Sequence, residues 1–186
     1  PNVLFLAVDD LNDWVGCLGG HPQAKTPHID RLAGKGVLFQ QAYCAAPLCH
    51  PSRTAIMTGL RPSRTGIYGN LTWLRDHPDF KQAVTIPQHF RQAGYKAWTG
   101  GKIFHQPHGK WSDPASWDGQ YSTRMGTQGP EKEKRYRHDM RGMFSNAILA
   151  RLIDWAPTRQ AREQTSDWQT ADGAATFLKQ QHQKPF

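Results

Sequence analysis

The sequence predicts an α/β sandwich built on a largely parallel central sheet, and three observations carry that expectation. The first is the apolar run Val3-Leu4-Phe5-Leu6-Ala7-Val8, which ends at Asp9-Asp10. A strand covered on both faces reads as an unbroken apolar stretch, and polar groups at its carboxyl end sit where open α/β sheets bind ligands. The second is the alternation of strand-like and helix-like segments, the order of βαβ units with right-handed connections. The third is length: 186 residues suffice for one sizeable core.

The elements follow in order. Thr26-Pro27 reads as a helix cap and first turn, with Ile29, Leu32 and Ala33 on one face and Gly36 closing the helix. Val37-Leu38-Phe39 and the residues up to Tyr43 then form a second strand leading to Cys49. Pro51 suits a first helical position, because its missing N–H would be unpaired there and its φ is already helical. Residues 51–58 are therefore a short helix, with Ala55, Ile56 and Met57 for packing and Gly59 as a left-handed stop. Next, Ile86-Pro87 opens a helix with Phe90 and Ala93 inward. Gly94 ends it, and Tyr95 to Thr99 forms a short strand before Gly100-Gly101-Lys102. From Gln106 the pattern gives way to Gly, Pro, Trp and charge, and 106–166 is expected to be a loop-rich excursion that shapes a binding site or is simply solvated. Helical order returns at Phe144 to Ile153, and again where Trp168, Ala171, Ala175 and Leu178 share one face.

Composition narrows the partners. A formal charge of +8, with nine histidines uncounted, favours acidic ones. The basic residues are scattered and no nucleic-acid module is recognisable, so a sulfated polymer suits the charge and nucleic acid is not expected. No stretch approaches the roughly twenty apolar residues that span a bilayer, so no membrane span is expected. Three cysteines cannot pair completely; with Cys49 reserved, Cys17 and Cys44 are expected as buried thiols in preference to a disulfide. No initiator methionine or signal peptide precedes Pro1 and no tail follows Phe186, so both ends are expected to be cut from a longer polypeptide.

The chemistry centres on Cys49-His50-Pro51-Ser52-Arg53. Cys49 lies just ahead of a helix N-terminus, where free N–H groups and the positive end of the dipole favour negative charge. Arg53, one turn in, offers a planar, permanently charged fork matched to sulfate or phosphate oxygens. Asp9 and Asp10, at a strand's end, can turn onto one hard cation, or can form a solvated turn. Lys102 and His105, beyond a later strand, reach the same sheet edge; a lysine there neutralises anionic oxygens and a histidine holds or protonates an ester oxygen. The plain alternatives are a buried structural thiol at 49, a surface lysine and a loop histidine. His50 is a substrate contact or an exposed loop residue. Trp73, Trp111, Trp117 and Tyr121 can stack on sugar rings, but core or loop packing suits them better.

The pentapeptide resembles the sulfatase signature Cys-x-Pro-Ser-Arg, whose cysteine is oxidised to formylglycine after translation. A hydrated aldehyde supplies one hydroxyl to attack sulfur and a second whose proton loss expels sulfate; a thiol cannot turn over in that way. The likeness extends through Thr26-Pro27-His28-Ile29-Asp30-Arg31-Leu32, Thr58-Gly59-Leu60-Arg61-Pro62, Thr85-Ile86-Pro87-Gln88-His89-Phe90 and Gly100-Gly101-Lys102-Ile103-Phe104-His105, and looks most like the iduronate-2-sulfatase branch. It covers residues 2 to 105 continuously and thins until the helix from Asp167 to Gln180. It implies the N-terminal part of an alkaline-phosphatase-like catalytic domain that hydrolyses sulfate esters on a sulfated sugar or polysaccharide. Cys49, Arg53, Lys102 and His105 would be catalytic, with Lys102, His105 and His50 on the substrate. Asp9, Asp10 and the modified Cys49 would hold Ca2+, or Mg2+ in its place. It further implies a formylglycine-generating maturation enzyme and a periplasmic, secreted or lysosomal location. The family's remaining metal ligands lie beyond Phe186, so this chain alone is expected to be inactive until the rest of the protein, or a companion chain, supplies them. Two other readings stay open: a formylglycine-dependent phosphodiesterase or phosphonate hydrolase, and a non-catalytic binder of acidic glycans with an unmodified Cys49.

Overall fold

In the computed structural model, which describes residues 1–122 and 161–186, the helices form close to where the sequence places them and the strands do so only in part. Helix α1, Pro27–Ala33, begins on a proline as expected. Thr26 occupies the capping position without capping: its hydroxyl accepts the Gly16 N–H at 2.7 Å and donates to Asp30 Oδ1 at 3.0 Å. Asp30 Oδ1 also accepts the Cys17 N–H at 2.8 Å, so this corner is stitched by one carboxylate and one hydroxyl. The helix stops at Gly34 rather than Gly36, and Ile29 and Leu32 remain exposed.

Helix α2, Cys49–Thr58, starts two residues earlier than expected, which puts Cys49 and His50 in its first turn. Leu48 is extended, and its carbonyl accepts the Ser52 N–H at 3.1 Å. Gly59 adopts φ 72°, the left-handed stop, and returns its N–H to Ala55 O at 2.8 Å. The buried face is set by His50, Arg53, Thr54 and Met57, at i, i+3, i+4 and i+7. That register leaves Ile56 outside at 47% exposure, against the expectation that it packs. Met57 meets Trp73 and Phe104 in one core cluster. A second cluster, Ile67, Leu74 and Phe80, lies beyond helix α3, Pro62–Thr65.

Helix α4, Ile86–Gln92, opens with a reciprocal capping box between Thr85 and Gln88. Strand β1 is confined to Trp98–Gly100 because the residues before it bond elsewhere: Tyr95 N–H to Phe90 O, Lys96 N–H to Pro185 O and Ala97 N–H to Asp118 Oδ2. It pairs in parallel with β2, Gly119–Ser122, in the register Trp98 to Gly119 and Thr99 to Gln120. Helix α5, Ser166–Lys179, covers the pair through Phe177, whose ring centroid is 5.1 Å from that of Trp98 and 6.3 Å from that of Tyr121.

Two expected strands do not form. Residues 3–8 and 37–43 carry no regular structure and are exposed, with Leu6 at 68% and Phe39 at 76%. A strand needs a ladder, and among the described residues the backbone of 3–8 makes one such bond, from Val3 N–H to Phe186 O. Among the described residues all three cysteines are free thiols, and Cys44 is exposed rather than buried. No helix among those residues is long and apolar enough to cross a membrane. The expected helix at Phe144 to Ile153 lies outside the described residues.

Candidate active site

The N-terminus of α2 is where four separate segments meet. Leu48, at the capping position, has no side-chain acceptor, so the His50 N–H is taken instead by Asn70 Oδ1 at 3.1 Å. Cys49 Sγ donates to the same oxygen at 3.5 Å, and His105 Nδ1 lies 3.6 Å from Sγ. Cys49 and His105, two of the residues singled out from sequence, thus touch across the fold.

Arg53 is 8% exposed, and both of its Nη groups are occupied, while its buried Nε–H has no partner among the described residues. Nη1 donates to the carbonyls of Lys102 and, at 2.9 Å, Ile103; Nη2 donates to Asp9 Oδ1 at 2.8 Å. The guanidinium therefore ties the Lys102 loop and Asp9 to α2, where the sequence suggested a fork open to an anion. Lys102 Nζ completes the cluster, 2.5 Å from Asp9 Oδ2. Burial alone would raise the Asp9 pKa, but the hydrogen bonds and charges of Lys102 and Arg53 outweigh it and hold the carboxyl below its ordinary value. Asp10 turns through φ 53°, in the left-handed region that aspartate tolerates, and both aspartates line one open cavity with Cys49, Ser52 and Arg53. For His105, burial and then the positive charges of Lys102 and Arg53 push the pKa down, with Asp9 opposing.

His50 corrects an expectation. It has no exposed surface, so it cannot contact a substrate. The helical register aims it inward, where Nε2–H donates to Thr72 O at 2.8 Å and the ring stacks on Trp73 at 5.7 Å. Trp111 meets it edge-on at 5.2 Å, and His105 lies 5.4 Å away. Burial lowers its pKa, opposed by the Thr72 carbonyl and reinforced by His105. Trp111 also lies against His105 at 5.8 Å, so the catalytic candidate rests on an aromatic floor of His50, Trp73 and Trp111.

That floor is anchored by an ion pair whose aspartate is buried and whose arginine is partly exposed. Arg75 grips Asp113 with both arms, Nε to Oδ1 at 2.5 Å and Nη2 to Oδ2 at 2.7 Å. Its remaining N–H bonds go to Lys81 O, Ala83 O and Gln88 Oε1. Ser116 Oγ donates to Asp113 and lies 2.6 Å from Thr85 Oγ1, which links the Trp111 loop to the cap of α4.

Asp9 and Asp10 are hard oxygen donors of the kind calcium and magnesium take, but they are few. No group of three or more His, Cys, Asp or Glu residues arranged for a metal ion occurs among the described residues. A second cleft, lined by Phe5, Phe90, Trp98, Phe177 and Phe186 among others, is apolar and carries no comparable cluster of charge. Sequence reasoning missed Asn70, Thr72 and the pair Arg75–Asp113. A Gly-Asn dipeptide reads only as a turn, and nothing local marks a cap that acts on another segment.

Residues 1–186 match the family model described as Sulfatase. A Formosa agariphila protein named "Sulfatase" is 43% identical over 145 residues, which cover 75% of this chain and 27% of that protein. Human "Iduronate 2-sulfatase" is 40% identical over 104 residues, 56% of this chain and 18% of the relative. The chain thus spans about a quarter or less of the length of these curated relatives. Among solved structures, a phosphonate monoester hydrolase of Agrobacterium radiobacter aligns with a TM-score of 0.56 at 20% identity, covering 94% of this chain and 37% of that one. That likeness is one of fold alone, an α/β architecture in which strand and helix alternate.

Proposed function

The chain belongs to the sulfatase family, and from that premise we propose that it carries the nucleophile-bearing part of a sulfuric-ester hydrolase acting on a sulfated sugar or polysaccharide. The observation that carries the reading is the meeting of Cys49, His105, Lys102, Arg53 and Asp9 at one helix N-terminus, three of them cationic or able to donate a proton beside a candidate nucleophile. Such a cluster favours charge that develops on ester oxygens as the bond to sulfur breaks.

The roles follow from the geometry. Position 49, once converted to formylglycine, supplies the attacking hydroxyl. Lys102, 21% exposed at its side chain, is the cation able to reach a sulfate oxygen, and doing so releases it from Asp9. Arg53 keeps the Lys102 and Ile103 backbone and Asp9 in register with α2, so its contribution to anion binding passes through their placement. His105, with a depressed pKa and Nδ1 near position 49, holds or moves the proton of the attacking or departing oxygen. Asp9 and Asp10 would take a calcium ion together with oxygens from residue 49 and from chain outside these 186 residues, because calcium prefers about six to eight oxygens. The ion would supply positive charge opposite the ester oxygens.

Two measurements on the full-length protein test the reading. The mass of the peptide spanning Cys49 is expected to show conversion to the aldehyde; an unmodified cysteine in the purified protein supports the glycan-binding alternative. Turnover of an aryl sulfate is expected to exceed that of an aryl phosphodiester, and a strong preference for the diester assigns the site to phosphoryl chemistry.

A further inference from the structure

One tetrapeptide that carries no motif grips the nucleophile-bearing turn. Asn70 Oδ1 accepts the His50 N–H at 3.1 Å and faces Cys49 Sγ at 3.5 Å; the Thr72 carbonyl accepts His50 Nε2–H at 2.8 Å; the Trp73 ring stacks on the His50 ring. The contacts differ in what they fix. Thr72 and Trp73 hold an imidazole on the buried side of α2. Within the tetrapeptide, Asn70 alone reaches the Cys49 side chain, through Sγ, whose place on Cβ a hydroxyl of the hydrated aldehyde would take. Because Leu48 cannot cap, the His50 N–H would otherwise be an orphan donor, so a rotamer of Asn70 that left it would forfeit a hydrogen bond at a helix end. The amide plane is thereby set.

We infer that Asn70 is a positioning residue for the nucleophile: its carbonyl oxygen selects the rotamer of the group carried at position 49 while tying that position to α2. This rests on the reading of residue 49 as the nucleophile. A hydrated aldehyde carries two hydroxyls on one carbon, equivalent until the surroundings distinguish them. An acceptor fixed on one side engages one hydroxyl and leaves the other free on the side of His105. A neutral amide suits the place, since a carboxylate there would repel an anionic ester.

The test uses Asn70→Ala and Asn70→Asp in the full-length protein, with aryl sulfate kinetics and the mass of the peptide spanning residue 49. Asn70→Ala is expected to lower kcat about tenfold, the scale of one lost hydrogen bond, with KM within about twofold of wild type and aldehyde content unchanged. Asn70→Asp keeps the acceptor and is expected to restore most of kcat while raising KM. An unchanged kcat in Asn70→Ala, or a loss matched by loss of aldehyde, overturns the inference. A second arm is independent of sulfate chemistry: in protein expressed with Cys49 left as a thiol, losing the S–H contact is expected to speed iodoacetamide alkylation of Cys49 about threefold relative to exposed Cys44. An unchanged rate there also overturns it. Wild-type protein without aldehyde or sulfate turnover would sink the functional reading instead, leaving Asn70 to be decided by alkylation.

Discussion

Replacing Asp113 by Asn removes one negative charge from a site only 2% exposed while keeping side-chain shape. Asp113 has φ 52°, which Asn adopts at least as readily as Asp, so the backbone adds no separate penalty. What is lost is the partner of Arg75, held through bonds of 2.5 and 2.7 Å. Breaking a buried ion pair from one side costs about 3–5 kcal/mol, because the remaining charge stays desolvated. Arg75 keeps acceptors on Lys81, Ala83 and Gln88, which places the expected loss near the lower end, about 3 kcal/mol. Urea unfolding at constant m would read it as a lowered midpoint. The double variant Arg75→Met with Asp113→Asn removes both charges and is expected to lose less than the two single losses summed, by about 1 kcal/mol or more. A single-variant loss below about 1 kcal/mol, or strict additivity, would refute the description of Asp113 as buried and coupled to Arg75. Hydrogen exchange in the Trp111 loop should rise in parallel, because that loop is what the pair anchors.

Two further outcomes follow from the same structure. His50 has a folded pKa below that of the unfolded chain, so its stabilising effect is complete above about pH 6.5 and is lost as pH falls toward the folded value; His50→Gln should flatten the fall in stability between about pH 6.5 and 5, and an unaltered slope would contradict the burial of that ring. Met57→Ala, at a position 3% exposed against Trp73 and Phe104, should cost about 2–5 kcal/mol, whereas exposed Ile56→Ala should stay within about 0.5 kcal/mol. Thermal or urea unfolding of the pair would reveal a reversed order, which would mean the register of α2 is wrong.

The helices were legible because their signals are local. Pro51, Gly59 and the Ile86-Pro87 start each act within a turn or two, and the helices appear within a few residues of those marks; the inner face of α5 is the exception, since it packs through Phe177 while Ala171, Ala175 and Leu178 stay exposed. The nearness of Asp9, Cys49, Lys102 and His105 was also expected, but not its cause: residues 3–8 form no strand, and the cluster is joined by the contacts of Arg53 and Lys102 with Asp9 and of Cys49 with His105. The strands at 3–8 and 37–43 were not, because alternation and apolarity report a tendency to pair while pairing itself depends on neighbours far away in sequence. His50 was misread for a related reason. Starting α2 two residues earlier than expected puts position 50 inside its first turn, on the face toward the aromatic floor, and helix starts are blurred by about one or two residues. Asn70 and Asp113 act on segments 20 and 38 residues away, beyond any local pattern.

The open apolar segments around Leu6 and Phe39 also govern how these residues behave in bulk. Unpaired stretches rich in Val, Leu and Phe are adhesive toward one another, edge to edge. Opposing that adhesion is a formal charge of +8, felt between molecules over a Debye length of roughly 10 Å at 0.1 M salt. Added salt shortens the reach of the repulsion and leaves the stickiness untouched. Added salt is therefore expected to shorten the time this polypeptide stays dispersed, which light scattering across a salt series would read.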